Sequence, residues 1–115
     1  MNEKRVREVF YFENYFLDFY ESLKPEVQLK VLWTIDLITR VERVPVKFFK
    51  HLQGTKGLYE IRVEVGSNIY RIFSFFDKGN LVVLGNGFQK KSQKTPKAEI
   101  EKALKLKSEY LYGKE

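Results

Sequence analysis

The stretch from Leu58 to Leu84 reads LYEIRVEVGSNIYRIFSFFDKGNLVVL, and the fold turns on it. Three runs rich in β-branched and aromatic residues, 58–65, 69–76 and 81–84, are separated only by Gly66-Ser67-Asn68 and Asp77-Lys78-Gly79-Asn80. Connections that short join antiparallel neighbours, so the stretch reads as an antiparallel meander. In the first run Tyr59, Ile61, Val63 and Val65 alternate with Glu60, Arg62 and Glu64. That alternation predicts one face on a core and one face carrying charge. The second run is apolar on both faces apart from Arg71 and Ser74, which predicts a central strand.

Upstream, residues 5–12 (RVREVFYF) read as a first strand. From Asn14 the period changes: Tyr15, Phe16, Phe19, Tyr20 and Leu23 recur at helical spacing until Lys24-Pro25 interrupts them. Pro25 suits the first turn of a second helix over about residues 26–42, with Val27, Val31, Leu32, Ile35 and Ile38 on its apolar stripe. The two helices form a hairpin. Residues 45–57 then read as a loop closing on Gly54-Thr55-Lys56-Gly57.

Downstream, Gly85-Asn86-Gly87 loosens the backbone ahead of Phe88-Gln89-Lys90-Lys91-Ser92-Gln93-Lys94, which holds three lysines and no acid. Thr95 as N-cap and Pro96 at the first helical position open a last helix, with Ile100, Ala103, Leu104, Lys107 and Leu111 on one stripe. The expected architecture is α+β in the order β-α-α-β-β-β-α, and 115 residues make it one domain, 1–115.

At 43% hydrophobic and 31% charged, the chain can bury a core. It has no Cys and one His, which excludes disulfide frameworks, thiol nucleophiles and Cys- or His-rich metal sites. No apolar run has the length of a membrane span and no signal-peptide pattern opens the chain, so a cytoplasmic location is expected. Charge is uneven: residues 1–42 carry 6 Lys/Arg against 8 Asp/Glu, 43–85 carry 7 against 3, and 86–115 carry 8 against 4. The basic two thirds would attract a polyanion, nucleic acid above all.

Arg62 and Arg71 fall on neighbouring strands of the meander, where facing side chains stand roughly 5 Å apart. Like charges so placed repel unless an anion bridges them. Paired guanidinium forks suit a phosphodiester and the negative charge that develops on it during cleavage; the plainer reading pairs Arg62 with Glu60 or Glu64 and sends Arg71 to solvent. Lys90, Lys91 and Lys94 suit flanking phosphates, and Phe88 a stacked base. His51, beside Lys50 in a predicted loop, has the titration range for acid–base work but is more simply a surface residue. Glu60 is a second candidate base, or an ion-pair partner.

The order of elements, Lys50-His51-Leu52-Gln53-Gly54 ahead of Gly57-Leu58-Tyr59-Glu60-Ile61-Arg62-Val63, then Tyr70-Arg71-Ile72 and 87–96 (GFQKKSQKTP), together resemble the RelE/HigB superfamily of toxin–antitoxin toxins, in its phage-derived branch. The resemblance implies an endoribonuclease that cuts mRNA in the ribosomal A site, without a metal or other cofactor, by attack of the ribose 2′-OH on the adjacent phosphorus. It puts Arg62, Arg71, Lys91 and Lys94 in the catalytic role and Lys50, His51, Phe88 and Lys90 against RNA. Gln89 departs from the pattern, since some relatives carry Arg there. The implied partner is a cognate antitoxin of the helix-turn-helix type, with operator DNA bound only through the complex. Two other activities fit the same fold: a ParE-like poison of DNA gyrase, and an inactive module that binds antitoxin or RNA.

Overall fold

The computed structural model describes residues 4–113. Its elements are β1 (Glu8–Tyr11), α1 (Tyr15–Glu21), α2 (Pro25–Arg40), β2 (Phe49–His51), β3 (Tyr59–Val65), β4 (Asn68–Asp77), β5 (Leu81–Lys90) and α3 (Lys97–Tyr112). The α+β architecture matches the expectation, with one short strand added at β2. The five strands form a single sheet in the order β1-β5-β4-β3-β2, which puts the doubly apolar β4 at its centre. β1 joins the sheet as an edge, parallel to β5.

Each face of the sheet has its own core. Phe16 of α1 and Val27, Val31, Ile35 and Ile38 of α2 pack against Ile61, Val63, Tyr70, Ile72, Val82 and Leu84. On the opposite face Ala103, Leu106 and Tyr110 of α3 cover Leu58, Phe73, Phe75, Val83 and Phe88. The buried stripe of α3 therefore runs through Leu106 and Tyr110, and Leu104 and Leu111 point to solvent. Leu32 of α2 is likewise exposed. Tyr110 donates to Asp77 at 2.7 Å, so the aromatic ring anchors α3 while its hydroxyl is satisfied.

The last strand corrects the expected boundary. β5 does not end at Leu84 but continues to Lys90. Between the pairs Ser74↔Leu84 and Ile72↔Gly87, β4 contributes one residue and β5 two, Gly85 and Asn86. One extra residue in a strand is a β-bulge, and it reverses the face of every side chain after it. Glycine is required at the second pair for a separate reason: a Cβ on Gly87 would come within 2.4 Å of the Phe19 ring of α1.

Arg7 fastens the N-terminal segment to the end of α2. Its guanidinium donates to the carbonyls of Ile38 and Val41 at 2.9 and 2.8 Å and to that of Glu42 at 2.7 Å. Carbonyls at a helix C-terminus lack intrahelical donors and carry the negative end of the helix dipole, so a cation there meets both needs. Arg7→Ala is expected to cost about 1.5–3 kcal/mol, the range for hydrogen bonds from a charged group. Urea denaturation should show a lower midpoint with unchanged slope; an unchanged midpoint would mean that water caps the helix equally well.

Candidate anion-binding cleft

The hairpin turn between β3 and β4 fixes a register in which Arg62 stands opposite Arg71, as the short connection predicts. Arg71 in turn stands opposite Phe88 of β5. The flanking row on the same face is Glu64, Ile69 and Lys90, and the row on the other side includes Lys50, Glu60 and Phe73. α3 covers the Phe73 end of this face, and the arginine row lies at the margin of that cover.

Burial separates the two arginines. Arg71 is 3% exposed, so it does not reach out to solvent, and Arg62 is partly open. Between them sits Glu60, itself 5% exposed, with Oε1 at 3.7 Å from the Nε of each arginine. The other carboxylate oxygen accepts from the Thr95 hydroxyl at 3.0 Å. At 3.7 Å the arginine–glutamate contacts are ion pairs without a hydrogen bond. Both Nε–H groups are buried with no hydrogen-bond partner among the described residues. The remaining donors are sparsely used: Arg62 donates to the Val46 carbonyl at 3.3 Å and Arg71 to that of Tyr70 at 3.1 Å. Burial, and then the neighbouring Arg62 charge, push the Arg71 guanidinium below its ordinary range, against the pull of Glu60 and Glu64.

The two arginines line a cleft of about 260 Å³ together with Lys30, Lys47, Phe48 and Glu64. Four cations line it with the Glu64 carboxylate, and Glu60 lies buried behind the arginines, a balance of charge that favours an anion. Planar guanidinium forks at the wall of the cleft match the oxygens of a phosphate, and the low dielectric around Arg71 strengthens every such contact.

The sequence-derived candidates separate by face. Lys90 lies on the arginine side because the bulge turns it there. Lys91 and Lys94 are exposed in the loop after β5, and Thr95 ties the end of that loop to Glu60. Thr95 is therefore not the helix cap it resembles: Pro96 holds the cap position in an extended conformation, and the hydroxyl one residue earlier turns to the sheet. Lys50 is exposed on edge strand β2, across from Glu60.

Two candidates need correction. Phe88 is 8% exposed and stacked on Phe73 at 5.5 Å, so the ring belongs to the α3 core and offers no surface to a base; the bulge is what turns it inward. His51 sits in β2, not in a loop, paired with Tyr59 and packed against its ring at 5.2 Å. Tyr59 faces the α1–α2 core, so His51 lies on the opposite side of the sheet from Arg62 and Arg71. Gln89 also belongs to that far side, opposite Tyr70. Conversely, Lys30, Lys47 and Phe48 line the cleft without having been singled out, because the α2 helix and the residues before β2 meet β3 only in the folded chain.

The model of the family described as phage-derived protein Gp49-like matches residues 18–108, most of the chain. The chain belongs to the Gp49-like family. This is a RelE/HigB-like toxin family, so the resemblance read from 50–96 holds at that level. No curated protein matches the sequence significantly. Within the Gp49-like chain the matched span begins in α1 and ends in α3, and it therefore contains every residue of the cleft. No described helix is long and apolar enough to cross a membrane.

Proposed function

We propose that this Gp49-like chain is the toxin of a toxin–antitoxin pair and cleaves mRNA on the ribosome. The observation that carries the reading is the facing pair Arg62 and Arg71, both with an unpartnered buried Nε–H, at the wall of a cationic cleft. In the reaction the 2′-oxygen of a ribose bonds to the adjacent phosphorus as its proton leaves. The P–O5′ bond breaks, giving a 2′,3′-cyclic phosphate and a 5′-OH that takes up a proton. Negative charge grows on the non-bridging oxygens, and the two guanidiniums are set to stabilise it. Lys90, Lys91 and Lys94 hold flanking phosphates from the β5 side, with Lys91 and Lys94 exposed on the loop after the strand, and Lys50 extends the basic surface past β2. A helix-turn-helix antitoxin would cover this basic face and carry the complex to operator DNA in the cytoplasm.

The test is inducible expression in bacteria without an antitoxin, with new 5′ ends mapped on a translated message and on the same message lacking its start codon. Cuts confined to the translated copy are the expected result. Cuts on both copies would remove the ribosome from the mechanism, and growth arrest without cuts, with inhibited supercoiling by purified gyrase, would replace it with the ParE-like activity.

A further inference from the structure

The chain has one tryptophan, and it is not in the core. Trp33 lies on α2 but is 46% exposed, a large apolar surface to leave in water. Its ring meets Phe48 edge-on at 5.4 Å, and the Lys30 ammonium lies 4.5 Å from its centroid. Lys47 in turn lies 5.0 Å from the Phe48 ring. Lys30, Lys47 and Phe48 are three of the six residues lining the arginine cleft. Trp33 therefore stands one side chain away from the phosphate site, joined to it by an aromatic ring and a cation.

An exposed ring braced by a second, beside a row of cations, is an arrangement that holds single-stranded nucleic acid, with the ring taking a base and the cations the backbone. Phe88, on the other side of the arginines, is stacked in the α3 core, and of the two rings at this end of the cleft Trp33 is the more exposed. We infer that Trp33, with Phe48 bracing it, is the stacking platform for an unpaired RNA base next to the phosphate bound by Arg62 and Arg71. Lys30 and Lys47 hold the backbone between the two. The inference rests on the RNA-cleaving reading and adds to it the side of the cleft from which the strand leaves: past β3, away from the lysine loop that follows β5.

The test is cleavage of a message on purified ribosomes by wild type, Trp33→Ala and Trp33→Phe, with melting temperatures measured in parallel. Loss of one base–aromatic stack is expected to lower kcat/KM for Trp33→Ala about tenfold to a hundredfold. Trp33→Phe, which keeps a ring, should recover most of it, and neither variant should melt earlier because the side chain is half exposed. On a message with an abasic nucleotide beside the cut, wild type and Trp33→Ala should cleave at the same reduced rate, an equality that a structural role would not produce. Cleavage by Trp33→Ala at the wild-type rate overturns the platform, leaves the RNA reading standing and assigns the exposed ring to a protein contact. Equal damage in Trp33→Phe and Trp33→Ala also overturns stacking. A wild-type protein that cuts no message overturns the proposed function, and this inference with it.

Discussion

Arg71→Met should abolish cleavage while leaving the protein at least as stable as before. On the activity side, Arg71 supplies a preorganised cation at the oxygens where charge develops, and removing one such donor typically costs about 10²–10³ in rate. The effect should fall on kcat, because the interaction strengthens as charge accumulates. On the stability side, the Arg71 guanidinium is buried, faces a second arginine and has its Nε–H unsatisfied. Burial first and the Arg62 charge second push its pKa below the ordinary arginine range, so the fold disfavours the charged form. At every pH below that depressed value the cation is kept at a cost to the fold. Methionine fills similar volume without a charge, and Glu60 keeps Arg62 and Thr95 as partners. Removing one side of a buried ion pair is costly only where it strands the other charge; Glu60 is not stranded, because Arg62 and Thr95 remain against it, so thermal melting should show an equal or higher Tm. A variant that melts well below wild type, or that cleaves at the wild-type rate, would refute this account of Arg71.

The register that sets Arg62 against Arg71 was legible in the sequence because a three-residue connection leaves few ways to pair two alternating strands. The apolar run 69–76 announced its central place for the same reason: only a strand covered on both faces tolerates it. What stayed hidden was produced by single-residue events. The extra residue at Gly85-Asn86 carries no signal that distinguishes a bulge from a loop, yet it decides that Phe88 is core and that Lys90 joins the arginines. Three residues of β2 are too few to show a period of two, so His51 could not be assigned a face. Thr95-Pro96 has the composition of a helix start, and the hydroxyl went instead to a buried carboxylate 35 residues away. Trp33 had a usable signal. With Val27, Val31, Ile35 and Ile38 marking the buried stripe of α2, a residue two positions after Val31 falls on the far side of the helix, where an aromatic ring calls for a reason.

Glu60→Ala should be among the most destabilising substitutions available outside the two cores, and Arg71→Met should cancel much of the damage. Among the described residues, Glu60 is the one carboxylate within ion-pair range of both arginines, 3.7 Å from each Nε. Removing it leaves two like charges opposite each other across β3 and β4, one of them 3% exposed, and leaves the Thr95 hydroxyl without its acceptor. Breaking a buried ion pair from one side costs about 3–5 kcal/mol, since the surviving charge is neither solvated nor paired. Against the roughly 5–15 kcal/mol that holds a domain of this kind together, that is about a fifth or more of the total. The cost resides in Arg71 more than in Arg62, which is partly open to solvent and can swing outward. If so, the double variant Glu60→Ala with Arg71→Met has no stranded buried cation, and should recover about 2 kcal/mol or more over Glu60→Ala alone. Guanidinium denaturation of the two single variants and the double variant closes the cycle. Additive effects would mean that Glu60 stabilises the sheet through Thr95 and the loop it carries, not by neutralising the arginine pair. A strong non-additive term of the expected sign identifies Glu60 as the internal anion that occupies the arginines until a phosphate takes over their remaining donors.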